Sequence, residues 1–469
     1  MRDKSITIRF QMRDRPIIIF LQLFIFLSPL PFGCVGRVFS PLFYILILVF
    51  SLFAMSQTGK ETHVLYERKI RFLFYAFLGF LAFQMIPLPL FLLKIFSPRT
   101  VHNLTQLKDH VPGFFPISMV PFETMVFVFK FLVFVIFFWV MINTKFEKKE
   151  IISIIKTLIL SSVFQVILGL VKYLQGNKLF FLFFHEVDKS EVSAGFLTGT
   201  LGNSNHFAFY LEMILPLFLA LFFLKLQFFE TGQSLREKFL SALDENKNVI
   251  GYFAGSVLLG TGIILTGSRS GILTMVFSFL IFFQFSFYLK RSKAVRRKLK
   301  FFFIGITAVT LFIGIQNTMN KFLSTRIENA GRFLRWPATI SMVQDFPIFG
   351  SGFGTYRYTY FLYDIDEGGK WSTHAHNDYL EAVAEGGIMG SVLFFLLIGM
   401  VIYSIVKMWM IRRHPEIKMI GIGIITSLFA ASFHSIFDFS LHIPSNVFVF
   451  MLVLVLGIKL VTYKREFLE

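Results

Sequence analysis

The chain alternates long apolar runs with short polar stretches, and the runs set its architecture. They lie near 16–34, 38–56, 71–93, 121–142, 151–172, 205–228, 249–267, 270–289, 301–317, 386–409, 418–435 and 444–462. Each reaches roughly 20 residues, the length that crosses a hydrocarbon core of about 30 Å as a helix. The pattern predicts an all-α polytopic membrane protein with about 12 transmembrane helices, forming a single integral membrane domain over 1–469. No repeat period is visible, and no linker splits off a soluble domain. After the third run, Ile86-Pro87-Leu88-Pro89 ends the helix, because proline has no amide proton to donate and clashes with the preceding turn. The Leu90–Pro98 stretch that follows is expected to lie along the membrane interface. Gly202-Asn203-Ser204-Asn205 reads as the N-terminal cap of the sixth helix. The first run has no small-residue cleavage site and a second run follows at once, so it is expected to be retained.

Lysine and arginine fix the expected orientation. Clusters recur in every second loop: Arg2 to Arg15, Lys60 to Arg71, Lys145 to Lys149, Arg236 to Lys247, Lys290 to Lys300, Arg412 to Lys418, and Lys464 with Arg465. The positive-inside bias puts these loops and both termini in the cytoplasm. Three segments then face outward: about 173–204, the tip at Gly267–Ser270, and a long loop over 318–385 between spans nine and ten. The turn around Phe433–Pro444 joins them.

Composition sharpens this picture. The 469 residues are 55% hydrophobic, with mean hydropathy +0.68, which excludes a soluble domain. The net charge of +18 sits mostly in the short loops, so it follows from topology and does not call for a nucleic-acid partner. The lone cysteine, Cys34, forbids an internal disulfide and a cysteine-built metal site.

The chemistry concentrates between Arg326 and Gly390, a polar, aromatic-rich segment inside an otherwise apolar chain. A membrane loop that keeps arginines, histidines and a glycine-rich turn is the first place to look for a site. Arg332 and Arg335 precede Trp336; they read either as surface charges of a loop helix or as anion contacts, with Trp336 packing on the bilayer or on a sugar face. Arg326 reads as structural. Pro347 to Gly354 (PIFGSGFG) lacks the lysine and hydroxyl residue of a nucleotide-binding loop, so a tight turn or a close backbone approach accounts for it. His374-Ala375-His376-Asn377-Asp378 offers two imidazoles. A metal site would need a third ligand from elsewhere. A general base fits the sequence better, with Asn377 or Asp378 orienting the ring. A helix over 379–386 then runs into Gly387-Ile388-Met389-Gly390, where small residues permit close packing.

Two further features lie outside that loop. Thr266-Gly267-Ser268-Arg269-Ser270-Gly271 is a short turn between spans with an arginine on the expected outer side. Arg269 is either a snorkelling side chain or an anion-binding guanidinium, whose fork of donors matches phosphate. Glu212 sits about two turns inside the sixth span. A buried acid there is a functional candidate, unless it only caps the helix or pairs with an arginine.

Together these residues resemble the O-antigen ligase and polymerase family of bacterial membrane glycosyltransferases, over most of the chain. The most specific element is a histidine followed by asparagine, nine residues and Gly-x-x-Gly, here His376-Asn377, Asp378–Gly386, and Gly387 to Gly390. Ser268-Arg269, Arg332 before Trp336, the Pro347–Gly352 turn, Gly202-Asn203-x-Asn205 and His434-x-x-x-Asp438 also match. His374 in the role of His376 would put Ala375 where the pattern has asparagine. The resemblance implies glycan transfer on the periplasmic face of the inner membrane, inverting and metal-independent, with no cofactor. It implies an undecaprenyl-diphosphate-linked glycan as donor and a sugar hydroxyl of lipid A–core, or of another lipid-linked glycan, as acceptor. His376, Arg269 and Arg332 would be catalytic. Arg335, Trp336, Asn377, His374, Asn205, Glu212 and Asp438 would contact substrate. The sequence leaves polymerase and protein O-glycosylating ligase open. A lipid-linked sugar transporter is a further alternative, kept in view by Lys130 and Lys156 within spans four and five.

Overall fold

The computed structural model describes residues 16–57, 68–107, 112–175, 196–225, 247–286, 305, 331–363 and 373–463. The described residues are helical almost throughout. Eleven of the twelve expected runs carry a helix, and the run at 301–317 lies outside the described residues apart from 305, as does Arg326. In chain order the helices are α1 (Pro16–Leu27), α2 (Phe39–Gln57), α3 (Arg68–Met85), α4 (Leu90–Phe96), α5 (Pro98–Leu107), α6 (Pro121–Asn143) and α7 (Lys148–Leu174). They continue with α8 (Ser204–Lys225), α9 (Lys247–Leu265), α10 (Arg269–Ser286), α11 (Gly331–Asp345), α12 (Asp378–Ile411), α13 (Pro415–His434) and α14 (Pro444–Thr462). Eight of these are long and apolar enough to cross a membrane, while α1 and the apolar part of α9 (Val249–Leu265) are shorter apolar helices. The chain is an all-α polytopic membrane protein.

Local chemistry sets several boundaries. Pro121, Pro415 and Pro444 open α6, α13 and α14 at the first helical turn, where a missing amide proton costs nothing. Glu147 and Glu150 form a capping box at the start of α7. Asn203 Oδ1 accepts from Asn205 N at 2.8 Å and caps α8. The Pro87–Pro89 break stops α3 as expected, and Leu88–Pro89 then pairs antiparallel with Phe114–Phe115. The segment after the break forms two short helices, α4 over the expected stretch and α5 beyond it, with Phe91 and Ile95 exposed.

The core is built on α8. In its apolar window 94% of residues are buried, against 83% for α13 and 78% for α14, which pack around it, whereas only 33% are buried in α2 and in α6 and 28% in α12. A helix that is apolar on every face is surrounded by protein or by lipid, and the phenylalanine-rich α8 is surrounded by protein. Closest approach falls at Pro216 of α8 and Gly423 of α13, where an added Cβ would lie 2.8 Å from the Pro216 carbonyl oxygen. Ser427 of α13 donates to the Met213 carbonyl at 2.6 Å across the same contact. Small residues and a hydroxyl are what bring helices together where lipid gives no hydrophobic drive.

The glycines of the polar segment meet in one crossing. α12 kinks at Gly387 (φ 59°, ψ −173°), and the Pro347–Gly354 turn threads across the kink. Ser351 N and Gly352 N donate to the Ala384 and Glu385 carbonyls at 3.1 and 2.9 Å, and Ile388 N and Met389 N donate back to Pro347 and Ile348 at 2.8 and 3.1 Å. Gln84 of α3 ties both strands, donating to the Phe349 and Glu385 carbonyls. A Cβ on Gly350 would collide with the Glu385 carbonyl, and one on Gly387 with Ile348. The Gly-x-x-Gly spacing therefore serves a backbone crossing as well as close packing, since Gly390 lies against the Phe80 ring.

Gly350→Ala and Gly387→Ala are each expected to lower the melting temperature of the detergent-purified protein. The left-handed backbone alone costs alanine roughly 1–2 kcal/mol, before the collision is counted. Gly399→Ala, lower on α12 with open space around it, is expected to leave the melting temperature unchanged or slightly higher.

Candidate functional site

The N-terminal ends of α8, α10, α12 and α14 and the C-terminal end of α13 meet at one end of the bundle. At their centre is the turn 435–443, between α13 and α14. Its Asp438 is fully buried, and Oδ1 lies 2.9 Å from His376 Nδ1. Burial alone would raise the Asp438 carboxyl, but the His376 hydrogen bond and the nearby His206, His376 and His434 imidazoles hold it well below the usual carboxylate range. An ionised Asp438 accepts the Nδ1 proton of His376 and leaves Nε2 with a lone pair. The ring is about a quarter exposed, at 24%.

His376 is held under strain. Its φ is +52°, a left-handed conformation that costs a non-glycine residue on the order of 1–3 kcal/mol and persists only where the surroundings fix it. The flanking residues supply that constraint. Ala375 N donates to Glu381 Oε2 at 2.8 Å, and the Ala375 carbonyl accepts from Trp336 Nε1 at 3.2 Å. Asp378 N donates to the Ser435 carbonyl at 2.9 Å. Asn377 caps α12, its Oδ1 accepting from Tyr379 N and Leu380 N, each at 3.0 Å. The ring of His376 is thus oriented by Asp438, and not by Asn377 or Asp378.

Phe439 organises the imidazoles. His374 stacks on it with centroids 4.2 Å apart, and His376 and His206 meet its ring edge-on at 4.7 and 4.8 Å. His206 follows Asn205 in the first turn of α8. Its buried Nε2 and the second oxygen of Asp438 have no hydrogen-bond partner among the described residues.

Glu212 pairs with an imidazole. It is buried beside His434, whose Nδ1 lies 2.8 Å from Glu212 Oε2. His434 Nε2 lies 3.2 Å from Ser270 Oγ, and Ser270 Oγ lies 3.0 Å from Ser268 Oγ. The pair therefore braces the Ser268–Ser270 turn that starts α10 with Arg269. Gly267 takes φ +62° to make that turn, and Gly271 lets Glu212 and Ala208 come close. Arg269 is part-exposed at the helix N-terminus.

The loop arginines fare differently. Arg335 is part-buried on α11, next to Trp336. Arg332 lies in the first turn of α11, and its side chain is not among those described. Trp336 binds the His376 loop through its indole proton, where the sequence suggested the bilayer or a sugar.

Beside this lies a second cluster. His374 Nδ1 is 2.8 Å from Glu381 Oε1, His442 Nε2 is 3.3 Å from the same oxygen, and His442 Nδ1 is 3.1 Å from Asp378 Oδ1. Burial alone would lower the His442 pKa, but Glu381 and Asp378 outweigh it and hold the ring charged up to about 10. Burial pushes His374 down despite Glu381. The sequence reading missed Glu381, His442 and Phe439. Glu381 had a signal, since an acid one turn into a helix that follows a histidine pair can reach back to it. Phe439 had none among so many phenylalanines.

Residues 254–395 match a protein-family model described as O-antigen ligase. No curated protein matches the chain. The matched segment runs from before the Ser268–Arg269 turn, through His374 and His376, to just past the Gly387–Gly390 kink. Over this segment the chain is similar to the O-antigen ligase family. Glu212, His434 and Asp438, which brace the matched residues, lie outside the match.

Breaking the buried Glu212–His434 pair is expected to be costly. Glu212→Ala should destabilise the protein by about 3–5 kcal/mol, the range for stripping one partner from a buried pair. Glu212→Gln, which keeps a hydrogen-bond acceptor, should cost less. Thermal unfolding in detergent distinguishes the two.

Proposed function

We propose that the protein transfers a glycan from undecaprenyl diphosphate to a sugar hydroxyl of lipid A–core, on the periplasmic face of the bacterial inner membrane and with inversion. The observation that carries this reading is the strained, part-exposed His376 backed by the buried Asp438. That arrangement presents Nε2 as a proton acceptor with its tautomer fixed from behind, the same logic by which a buried carboxylate serves a histidine base elsewhere. His376 Nε2 would take the proton of the acceptor hydroxyl as its oxygen attacks the anomeric carbon. The bond from that carbon to the diphosphate oxygen breaks, and the diphosphate leaves with the electron pair.

The leaving group gains negative charge and needs cationic donors. Arg269 begins α10, and no acidic residue shares its first turn. The guanidinium and the helix N-terminus therefore both favour an anion there. Arg332 is the second proposed contact, with Arg335 next to it in reserve. Donors preorganised for charge that develops on the leaving group are worth about 3–4 kcal/mol each. His374, Asn205, Trp336 and Asn377 would shape the acceptor side of the pocket, largely by holding His376 and the ends of α8 and α12 in place. The lipid of the leaving diphosphate would lie between spans, among the membrane lipids.

Purified protein given a lipid-linked glycan donor is expected to lengthen lipid A–core. His376→Ala should lower the rate roughly 10²–10⁴-fold, the usual contribution of a positioned base, and Arg269→Ala and Arg332→Ala should abolish product while the protein still inserts. Asp438→Asn should lower the rate while His376 remains in place. Growth of lipid-linked chains with no product on lipid A–core would make the protein a polymerase. Product on a serine or threonine would make it a protein ligase. Lipid-linked sugar crossing vesicle membranes undiminished by His376→Ala would make it a transporter.

A further inference from the structure

Of the cluster of His374, Glu381 and His442, the reaction above uses only His374, and that only to shape the acceptor side. His376 takes its support from Asp438, and the diphosphate is assigned to arginines. Yet three elements converge on the cluster: the loop before α12, the first turn of α12, and the short 3-10 turn Ser440–His442 before α14. Each contributes one donor, two imidazole nitrogens and one carboxylate oxygen, and these atoms all lie within 4.8 Å of one another. Tetrahedral zinc, with bonds of about 2.0–2.2 Å to nitrogen and oxygen, needs ligand atoms separated by roughly 3–4 Å. The observed separations of 2.8 and 3.3 Å to Glu381 Oε1 need only small side-chain adjustments to admit it.

Three details suit a cation better than a simple hydrogen-bonded cluster. His442 Nδ1 is held by Asp378 Oδ1, which directs Nε2 toward the shared centre. This is the carboxylate–histidine–metal relay that commonly orients a ligating ring. Glu381 is held in turn, since its other oxygen accepts from Ala375 N. The set is graded in exposure, with Glu381 at 2%, His374 at 25% and His442 at 36%, so a further coordination position would face outward. The carboxylates Asp378 and Glu381 already demand a positive charge there.

We propose that His374, Glu381 and His442 form a binding site for a divalent transition-metal cation of zinc-like preference, built to fasten the His376 loop to the turn before α14. The ion is structural. It crosslinks the segments on either side of Phe439 and contacts neither the diphosphate arginines nor His376 Nε2. The inference does not depend on the transfer chemistry. Because the imidazoles must be deprotonated to ligate, binding releases a proton and tightens as pH rises.

The test uses the full-length protein in detergent, stripped of metal and then dialysed against zinc or cobalt. A single cation per chain is expected by elemental analysis, together with a zinc-dependent rise in melting temperature. Cobalt should give the strong visible absorption of a low-coordinate nitrogen–oxygen site. His442→Gln and Glu381→Gln should remove both, and Asp378→Asn should weaken affinity by about 10–100-fold, as loss of a supporting carboxylate does. Binding that survives His442→Gln and Glu381→Gln would be an adventitious ion elsewhere and would overturn the proposal. So would a stripped wild-type protein that takes up no stoichiometric metal and shows no cobalt absorption, in which case the cluster holds only a charged His442.

Discussion

A carboxylate away from water must be met by a donor, and for four of the five buried acids among the described residues the donors include imidazoles, Glu385 accepting instead from Tyr356 N. Glu212 meets His434, Asp438 meets His376, Asp378 meets His442, and Glu381 meets both His374 and His442. Lysine or arginine would meet the same charge, but their long stems reach for the interface, whereas a ring can be fixed by stacking. All these pairs gather where the ends of α8, α10, α12, α13 and α14 come together. Satisfying the buried acids and assembling the site are one structural problem with one solution. Remove the pairs and the turn at 435–443 loses its anchors, and with it the orientation of His376.

This pairing also explains which parts of the molecule were legible in the sequence. The helices were, because apolar run length is a direct consequence of bilayer thickness, and Pro87–Pro89, Asn203 and Pro444 punctuate them by local rules. His376, Arg269 and the two glycine motifs could be singled out by residue type and spacing. Their connections could not. Nothing in the sequence joins Glu212 to His434, which are far apart along the chain; the sequence left open a cap or an arginine partner, and α13 supplies an imidazole. Asn377 looked like an orienter of His376 because it is adjacent in sequence. Adjacency mattered less than the helix start, which claims its side-chain oxygen for the cap.

The glycine motifs gain a shared meaning from the same comparison. Read separately, Pro347–Gly354 is a tight turn and Gly387–Gly390 a packing surface. In the structure each is the other's partner, because two left-handed glycines, Gly350 and Gly387, permit two backbones to exchange hydrogen bonds with no side chain between them. The residues between His376 and Gly387 are then a fixed ruler. They span the first turns of α12 from its cap to the crossing, so the spacing sets how far the imidazole stands above the kink.

The kink divides α12 into unlike parts. Above Gly387 the helix is tied to Tyr356 through Glu385, to Ser435 through Asp378 and to the crossing turn. Below it, Ile388, Met389, Val392, Leu396 and Tyr403 are exposed, as suits a lipid-facing rod. The joint between them is not loose, because Ile388 N and Met389 N just past the kink donate to Pro347 and Ile348. Head and rod therefore hold one angle, and the height of His376 along the rod is set by the same hydrogen bonds that lock the crossing.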